Sequence, residues 1–176
     1  MKKLSILICT IAGREASLSR LLKILEGQTN EQIEILIEKD KRRLTVGAKR
    51  NILLKRAQGQ YVCFVDDDDT VSEDYVSQIL EALKTNPDVV GIKGRITRRK
   101  ETNLFIHSMQ YKTWFKRRDI YYRCPNHLNP VKRTLALQIG FPNKNTGEDM
   151  DYSQRLLPLL KREFRIEKII YFYLAG

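Results

Sequence analysis

Short apolar runs alternate with amphipathic helical stretches along the first half of the chain, and this alternation restricts the fold more than any other feature. Leu4 to Cys9 reads as a strand bounded by Thr10-Ile11-Ala12-Gly13. Between Arg14 and Gln28, Leu18, Leu21, Leu22 and Leu25 fall on one face of a helix. Ile33 to Ile37 is a second strand, Glu38 to Arg43 a charged loop, and Val46 to Ala57 a helical stretch closed by Gly59. Gln60 to Val65 is a third strand. Thr70-Val71-Ser72-Glu73 matches a capping box and predicts a helix to about Lys84, before Val89 to Ile92 supplies a fourth strand. Strands and helices at this spacing predict βαβ units: an α/β domain whose mainly parallel central sheet carries helices on both faces. Ligands bind such sheets beyond the carboxyl ends of the strands. Thr10, Asp40 and Asp66 each follow a predicted strand and are expected to meet along one edge.

The pattern changes from Lys93 to Arg123. This stretch is basic (Arg95, Arg98, Arg99, Lys100, then Lys112, Lys116, Arg117, Arg118), with β-like pieces at Leu104–Met109 and Ile120–Arg123 around the single tryptophan, Trp114. It is too short to bury its own core and reads as a small antiparallel insertion. Asn129-Pro130 predicts an N-cap with proline at the first helical position, opening a helix through Ile139. The loop Gly140 to Gly147 leads into a helix from Glu148 that Pro158 should kink near Leu157, and Ile166 to Leu174 reads as a closing strand.

The third strand carries the chemistry. Tyr61-Val62-Cys63-Phe64-Val65 ends abruptly in Asp66-Asp67-Asp68-Asp69. Carboxylates at a helix N-terminus gain ~0.3–1 kcal/mol each from the dipole, which accounts for one or two of them but not four in succession. Adjacent like charges raise one another's pKa unless a cation sits among them. Oxygen-rich clusters of this kind suit Mg²⁺ or Mn²⁺, hard ions that also hold substrate phosphates. A second candidate is Gly47-Ala48-Lys49-Arg50-Asn51. Successive helical residues point ~100° apart, so Lys49, Arg50 and Asn51 cannot all reach one ligand and at least one is structural. Glu148-Asp149-Met150-Asp151 reads either as an acidic first helical turn capped by Thr146 or as site carboxylates. His127 would complete a metal shell or touch a diphosphate, or simply cap its loop; Trp114-Phe115 would stack on a sugar ring or pack as core aromatics.

Composition bounds the rest. The 176 residues, 42% hydrophobic and 30% charged, suit one ordinary globular domain. No apolar run approaches the ~20 residues that span a bilayer, and the apolar stretch at the start leads to Gly13-Arg14-Glu15, not to a small-residue cleavage site. Cys9, Cys63 and Cys124 are an odd number without ligand spacing and read as reduced core thiols of a cytosolic protein. The net charge of +11 is compatible with nucleic acid, an anionic lipid surface or an anionic substrate, and does not choose among them.

Gly47-x-x-Arg50-Asn51, then Ala57-x-Gly59-x-Tyr61 and Asp66-x-Asp68-Asp69, resemble the hallmark run of the family 2 glycosyltransferases of the GT-A fold. Ser5 to Thr10 followed by Arg14 resembles that family's first strand and nucleotide-binding turn, with Cys9 where proline is usual. Glu148-Asp149-x-Asp151 with Arg155-Leu156 resembles its acidic motif. Together these pieces run from Ser5 to about Leu160.

The resemblance implies a Rossmann-like nucleotide-diphospho-sugar transferase domain over residues 1–176, with 1–92 as the nucleotide-sugar half and 93–176 as the acceptor and catalytic half. It implies a metal-dependent inverting transfer from a nucleoside-diphosphate sugar, with a UDP-sugar expected, to a hydroxyl of a glycan, lipid-linked or protein acceptor. Thr10, Arg14 and Asp40 would line base and ribose, with Lys49 and Arg50 in the same region. Asp66 and Asp68 would form the D-x-D, Asp68 on Mn²⁺ or Mg²⁺ and Asp66 or Asp67 near the ribose. His127 would be a further metal ligand, and Asp149, or its neighbour Asp151, the general base. The sequence departs from the family at Glu38-Lys39-Asp40, which replaces an acidic pair, and over Lys93 to Arg123. Two other classes stay open on the residues: a nucleotidyltransferase on a related sheet, which would want a richer phosphate loop than Thr10 to Arg14, and a basic nucleic-acid-binding module, which the acidic cluster disfavours. The expected setting is cytoplasmic, peripheral at a membrane through the basic surface, or a host's cytoplasm for a viral protein.

Overall fold

A computed structural model describes residues 1–98 and 101–175. Arg99 and Lys100, part of the basic stretch, lie outside the described residues. The elements follow in order as β1 (Leu4–Ile11), α1 (Glu15–Glu26), β2 (Ile33–Asp40), α2 (Val46–Arg56), β3 (Tyr61–Phe64) and β4 (Thr70–Val71). Next come α3 (Tyr75–Leu83), β5 (Val89–Arg98), β6 (Glu101–His107), β7 (Phe115–Arg117), β8 (Ile120–Arg123) and β9 (Val131–Lys132). The chain closes with α4 (Arg133–Ile139), α5 (Glu148–Leu156), a 3₁₀ turn at Leu157–Leu159 and β10 (Glu163–Ala175).

One ten-stranded sheet runs β2-β1-β3-β9-β5-β6-β8-β7, with β10 on the other edge of β5 and β4 on β10. β1 pairs in parallel with β2 and β3, and β10 in parallel with β5. The short β9 lies antiparallel between β3 and β5, so β2, β1, β3, β5 and β10 all point one way. In the basic segment, β5/β6 and β7/β8 are antiparallel while β6/β8 is parallel.

The pleat divides the strands between two cores. Leu4, Ile6 and Ile8 of β1, with Tyr61 and Cys63 of β3, pack against α1 and α3. Leu7, Val62 and Phe64 face the other way, onto Leu53, Leu54, Ala136, Tyr152 and Leu156 of α2, α4 and α5. Helices therefore cover both faces, as the alternation predicts. Cys9, Cys63 and Cys124 are free thiols, and burial pushes those of Cys9 and Cys63 up to about 12. No described helix is long and apolar enough to cross a membrane.

Three local expectations change. Residues 70–73 form no capping box: Thr70 and Val71 pair with β10, and α3 starts only at Tyr75, because strand pairing outcompetes the local cap. Pro130 precedes β9 rather than opening a helix, since Val131 is needed between Tyr61–Val62 and Val89 to bridge the sheet. Gly147, in the left-handed region at φ 72°, caps α5 in place of Thr146. The break at Pro158 is as expected, with α5 ending at Leu156.

Candidate active site

The carboxyl ends of β1 and β3 and the start of α5 converge on two adjoining cavities of about 430 and 310 Å³. Arg50, Asp66, Asn145, Glu148 and Tyr173 line both. Thr10, Arg14, Asp67 and Asp68 belong to the larger; Trp114, Arg123, His127 and Asp149 belong to the smaller.

The four aspartates have different surroundings. Asp67 is buried, accepting hydrogen bonds from Thr10 Oγ1 at 2.6 Å and Arg14 Nη1 at 2.6 Å. That bond holds the Arg14 guanidinium above its ordinary range. Asp69 is also buried; Tyr171 Oη donates to it at 2.7 Å and Leu174 N at 2.9 Å, tying β3 to β10. Burial, with the Asp66 charge nearby, raises Asp69 to about 7. Asp66 bridges the cavities, with Arg50 Nη2 at 3.2 Å and His127 Nε2 at 3.3 Å. Burial pushes its pKa up, but His127 and Arg50 outweigh that and hold the carboxyl well below the usual range. Asp68 is the most accessible, its side chain 43% exposed with Arg14 at 3.1 Å. Partial burial raises it, Arg14 opposes, and the Asp66 charge adds to the rise.

The residues of α2 are held by protein groups, while Lys49 lines the larger cavity and Arg50 lines both. Lys49 Nζ donates to Thr10 O at 3.0 Å and pairs with Asp40 at 3.0 Å. Arg50 is buried and divides its guanidinium between Asp66 and Glu148, the latter at 2.9 Å, between the rings of Phe64 and Phe141. Asn51 clips the Phe141 backbone through both its N–H and its carbonyl at 2.8 Å. All three directions of the helix are thus engaged by protein groups, where the sequence reading required only one to be structural. Asp40 is held by the amides of Arg43 and Leu44 at 2.6 and 2.8 Å, which lower its carboxyl to about 2. It lines neither cavity, so Thr10 and Asp66 share the site while Asp40 supports it through Lys49.

Asp149 and Asp151 separate. Asp149 lines the smaller cavity, and among the described residues its Oδ1 accepts only from its neighbour Met150 N, at 2.8 Å. Asp151 turns outward to Arg155, which also donates to the Ile139 and Gly140 carbonyls at 2.6 and 3.0 Å. Trp114 and Phe115 part as well: Trp114 lines the smaller cavity beneath Arg123, while Phe115 stacks on Tyr122 at the surface. The sequence reading gave Glu148 no role apart from its acidic motif, and no site role to Asn145, Arg123 or Tyr173. Glu148 had a signal in its place beside Asp149; Tyr173 had none, since only the β5–β10 pairing carries it to the site.

The sequence model of "Glycosyl transferase family 2" matches residues 16–138. A Haemophilus influenzae protein named "uncharacterized glycosyltransferase" is 36% identical over 77 residues, 38% of this chain and 31% of that protein. Among solved structures, Staphylococcus aureus TarS 1–349 in complex with UDP-GlcNAc superposes with a TM-score of 0.76 at 17% identity, over 99% of this chain and 59% of that one. A Pyrobaculum calidifontis mannosyltransferase in complex with GDP-Man and Mn²⁺ gives 0.65 at 12% identity, over 97% and 56%. The chain therefore spans less than a third of the curated relative and about three fifths of TarS 1–349, and these structures share its GT-A fold. With the family's match covering residues 16–138 of the 176, the chain belongs to glycosyl transferase family 2.

Proposed function

We propose that the chain is a metal-dependent, inverting glycosyltransferase that moves a sugar from a nucleoside-diphosphate sugar, with a UDP-sugar expected, to an acceptor hydroxyl. One observation carries the reading: a cavity edged by Thr10, Arg14 and Asp68 opens across Asp66 into a second that holds Asp149. In this reading the larger cavity takes the nucleotide diphosphate and the smaller one the reacting sugar. The nucleotide ligands of the similar structures, UDP-GlcNAc and GDP-Man, support a donor of this class.

The residues fit a divalent cation. Among the described residues no group of three or more His, Cys, Asp or Glu side chains is placed to hold a metal ion by itself. Mg²⁺-type sites, however, use one or two carboxylates plus substrate phosphates. Asp68, the most accessible of the four, and Asp66 nearby supply that number. His127 would act through Asp66, which its Nε2 already contacts. When bound, the cation would neutralise charge on the departing diphosphate. Arg14 supports the same phosphates, and Asp67 orients Arg14 and Thr10. Asp149 accepts the proton of the acceptor hydroxyl as its oxygen bonds to the anomeric carbon and the nucleoside diphosphate leaves from the opposite face.

A thermal-shift screen of nucleoside diphosphates and sugar nucleotides, with and without Mn²⁺, tests this. A ligand at 100 times its Kd adds about 2.7 kcal/mol, a rise of roughly 5–10 °C for a chain of this size. If no nucleotide stabilises the protein in a metal-dependent way, the proposal fails.

A further inference from the structure

The smaller cavity holds a guanidinium without an acidic partner. Arg123 ends β8 and stacks over Trp114, 4.5 Å from the ring centroid, yet among the described residues it forms no ion pair within 4.0 Å. Burial lowers its pKa, with Asp149 opposing. Arg123 is half-buried; a partly buried arginine favours a counter-charge, and one stacked on an aromatic face keeps its N–H edge free for bidentate binding of carboxylate or phosphate. The acids nearby do not supply that charge: Arg50 already clamps Asp66 and Glu148, and Asp149 is the one further acid lining a cavity that also carries Arg98.

The surrounding groups are those of a hydroxylated ligand. His107, Trp114, Asn126 and His127 line the cavity, and each carries a buried side-chain nitrogen without a partner among the described residues. The parallel register sets His107 beside Arg123. Asn129 Nδ2 donates to Val90 O, and its Oδ1 accepts from Asn126 N, so that oxygen must accept from His107 Nδ1. His107 Nε2 is then left as a lone-pair acceptor on a ring that burial keeps neutral, while Trp114 Nε1 and Asn126 Nδ2 are donors. Unmade bonds at buried polar groups cost about 1–3 kcal/mol each, so a ligand with both donating and accepting groups is favoured once these side chains turn toward it.

We propose that this cavity selects an anionic sugar unit, one bearing a carboxylate or phosphate that Arg123 binds at its N–H edge. The proposal rests on the transferase reading above and names the substrate class of its second cavity. The anionic group would belong either to the transferred sugar or to the acceptor.

Calorimetric titrations separate the sources. With Mn²⁺ present, UDP-glucuronate is compared with UDP-glucose; with saturating UDP, and again with no nucleotide, glucose 6-phosphate is compared with glucose. Wild type should prefer the anionic member of at least one pair by about tenfold or more, the value of one charge-assisted hydrogen bond. Preference in the first pair assigns the anion to the transferred sugar, and preference in the second to the acceptor. Arg123→Gln should abolish the preference, Arg123→Lys should keep part of it, and UDP affinity should stay within about twofold in both. Equal binding of anionic and neutral members, or a preference that survives in Arg123→Gln, overturns the proposal, as does loss of UDP affinity itself, which would assign Arg123 to the diphosphate. If UDP fails to bind wild type, the transferase reading is in trouble, and the nucleotide-free pair still decides the role of Arg123.

Discussion

Four consecutive aspartates follow β3, and their contacts divide them: Asp67 and Asp69 are buried and hydrogen-bonded, Asp66 bridges Arg50 and His127, and Asp68 faces solvent. The same reasoning separates Asp149 from Asp151. Asp149→Asn should lower kcat by about 10²–10⁴-fold while donor affinity stays nearly constant. Equal loss of donor binding would remove it as the base. Asp151→Asn breaks a half-exposed i,i+4 pair with Arg155, so it should cost only about 0.3–0.5 kcal/mol of stability and leave kcat within a few-fold. Asp40 makes a prediction in pH. Its carboxyl lies at about 2, below the ordinary 3.8, through the Leu44 amide and Lys49. Its contribution is therefore present above about pH 3.8 and is lost as pH falls toward 2. Asp40→Asn should be less stable than wild type at neutral pH, with the gap closing over that acid window in urea melts. A constant gap would mean that the charge does not matter.

At the scale of elements, α2 is the part on which the site depends. A Cβ on Gly47 would overlap the Pro142 carbonyl, because the helix packs directly on the loop before α5. Gly47→Ala should destabilise by about 1–3 kcal/mol in denaturant melts, through overpacking against backbone that cannot move aside. It should also weaken donor binding, since Arg50 would be pulled away from Asp66 and Glu148. A variant as stable as wild type would show that the loop yields. Elements were legible from the sequence wherever apolar periodicity was strong, as in α1, β1 and β3. They were misread where partners far along the chain decide: residues 70–73 carry a sound local cap, yet β10 draws Thr70 and Val71 into the sheet.

Over the whole molecule, stability should fall off along the sheet. β1 and β3 have neighbours on both edges and helices on both faces, whereas β7 is exposed and, among the described residues, pairs only with β8. Amide exchange should be slowest in β1 and β3 and fastest in β7 and β8, and uniform protection would contradict this gradient. The sequence by itself determined the α/β class, the doubly covered sheet and the family, because alternating apolar periods and short motifs are local properties that survive without knowledge of partners. It also brought Thr10 and Asp66 to one edge, since every parallel strand ends on the same side. Only the tertiary structure decided what each charged side chain does. Lys49 and Arg50 line the larger cavity while ion-paired to Asp40, Asp66 and Glu148, Arg123 lines the smaller one, and Asp149 is parted from Asp151. The reason is physical: whether a charge is spent or available depends on the counter-charge beside it. Here the partners lie up to about 100 residues away, as in the Arg50–Glu148 pair at a separation of 98.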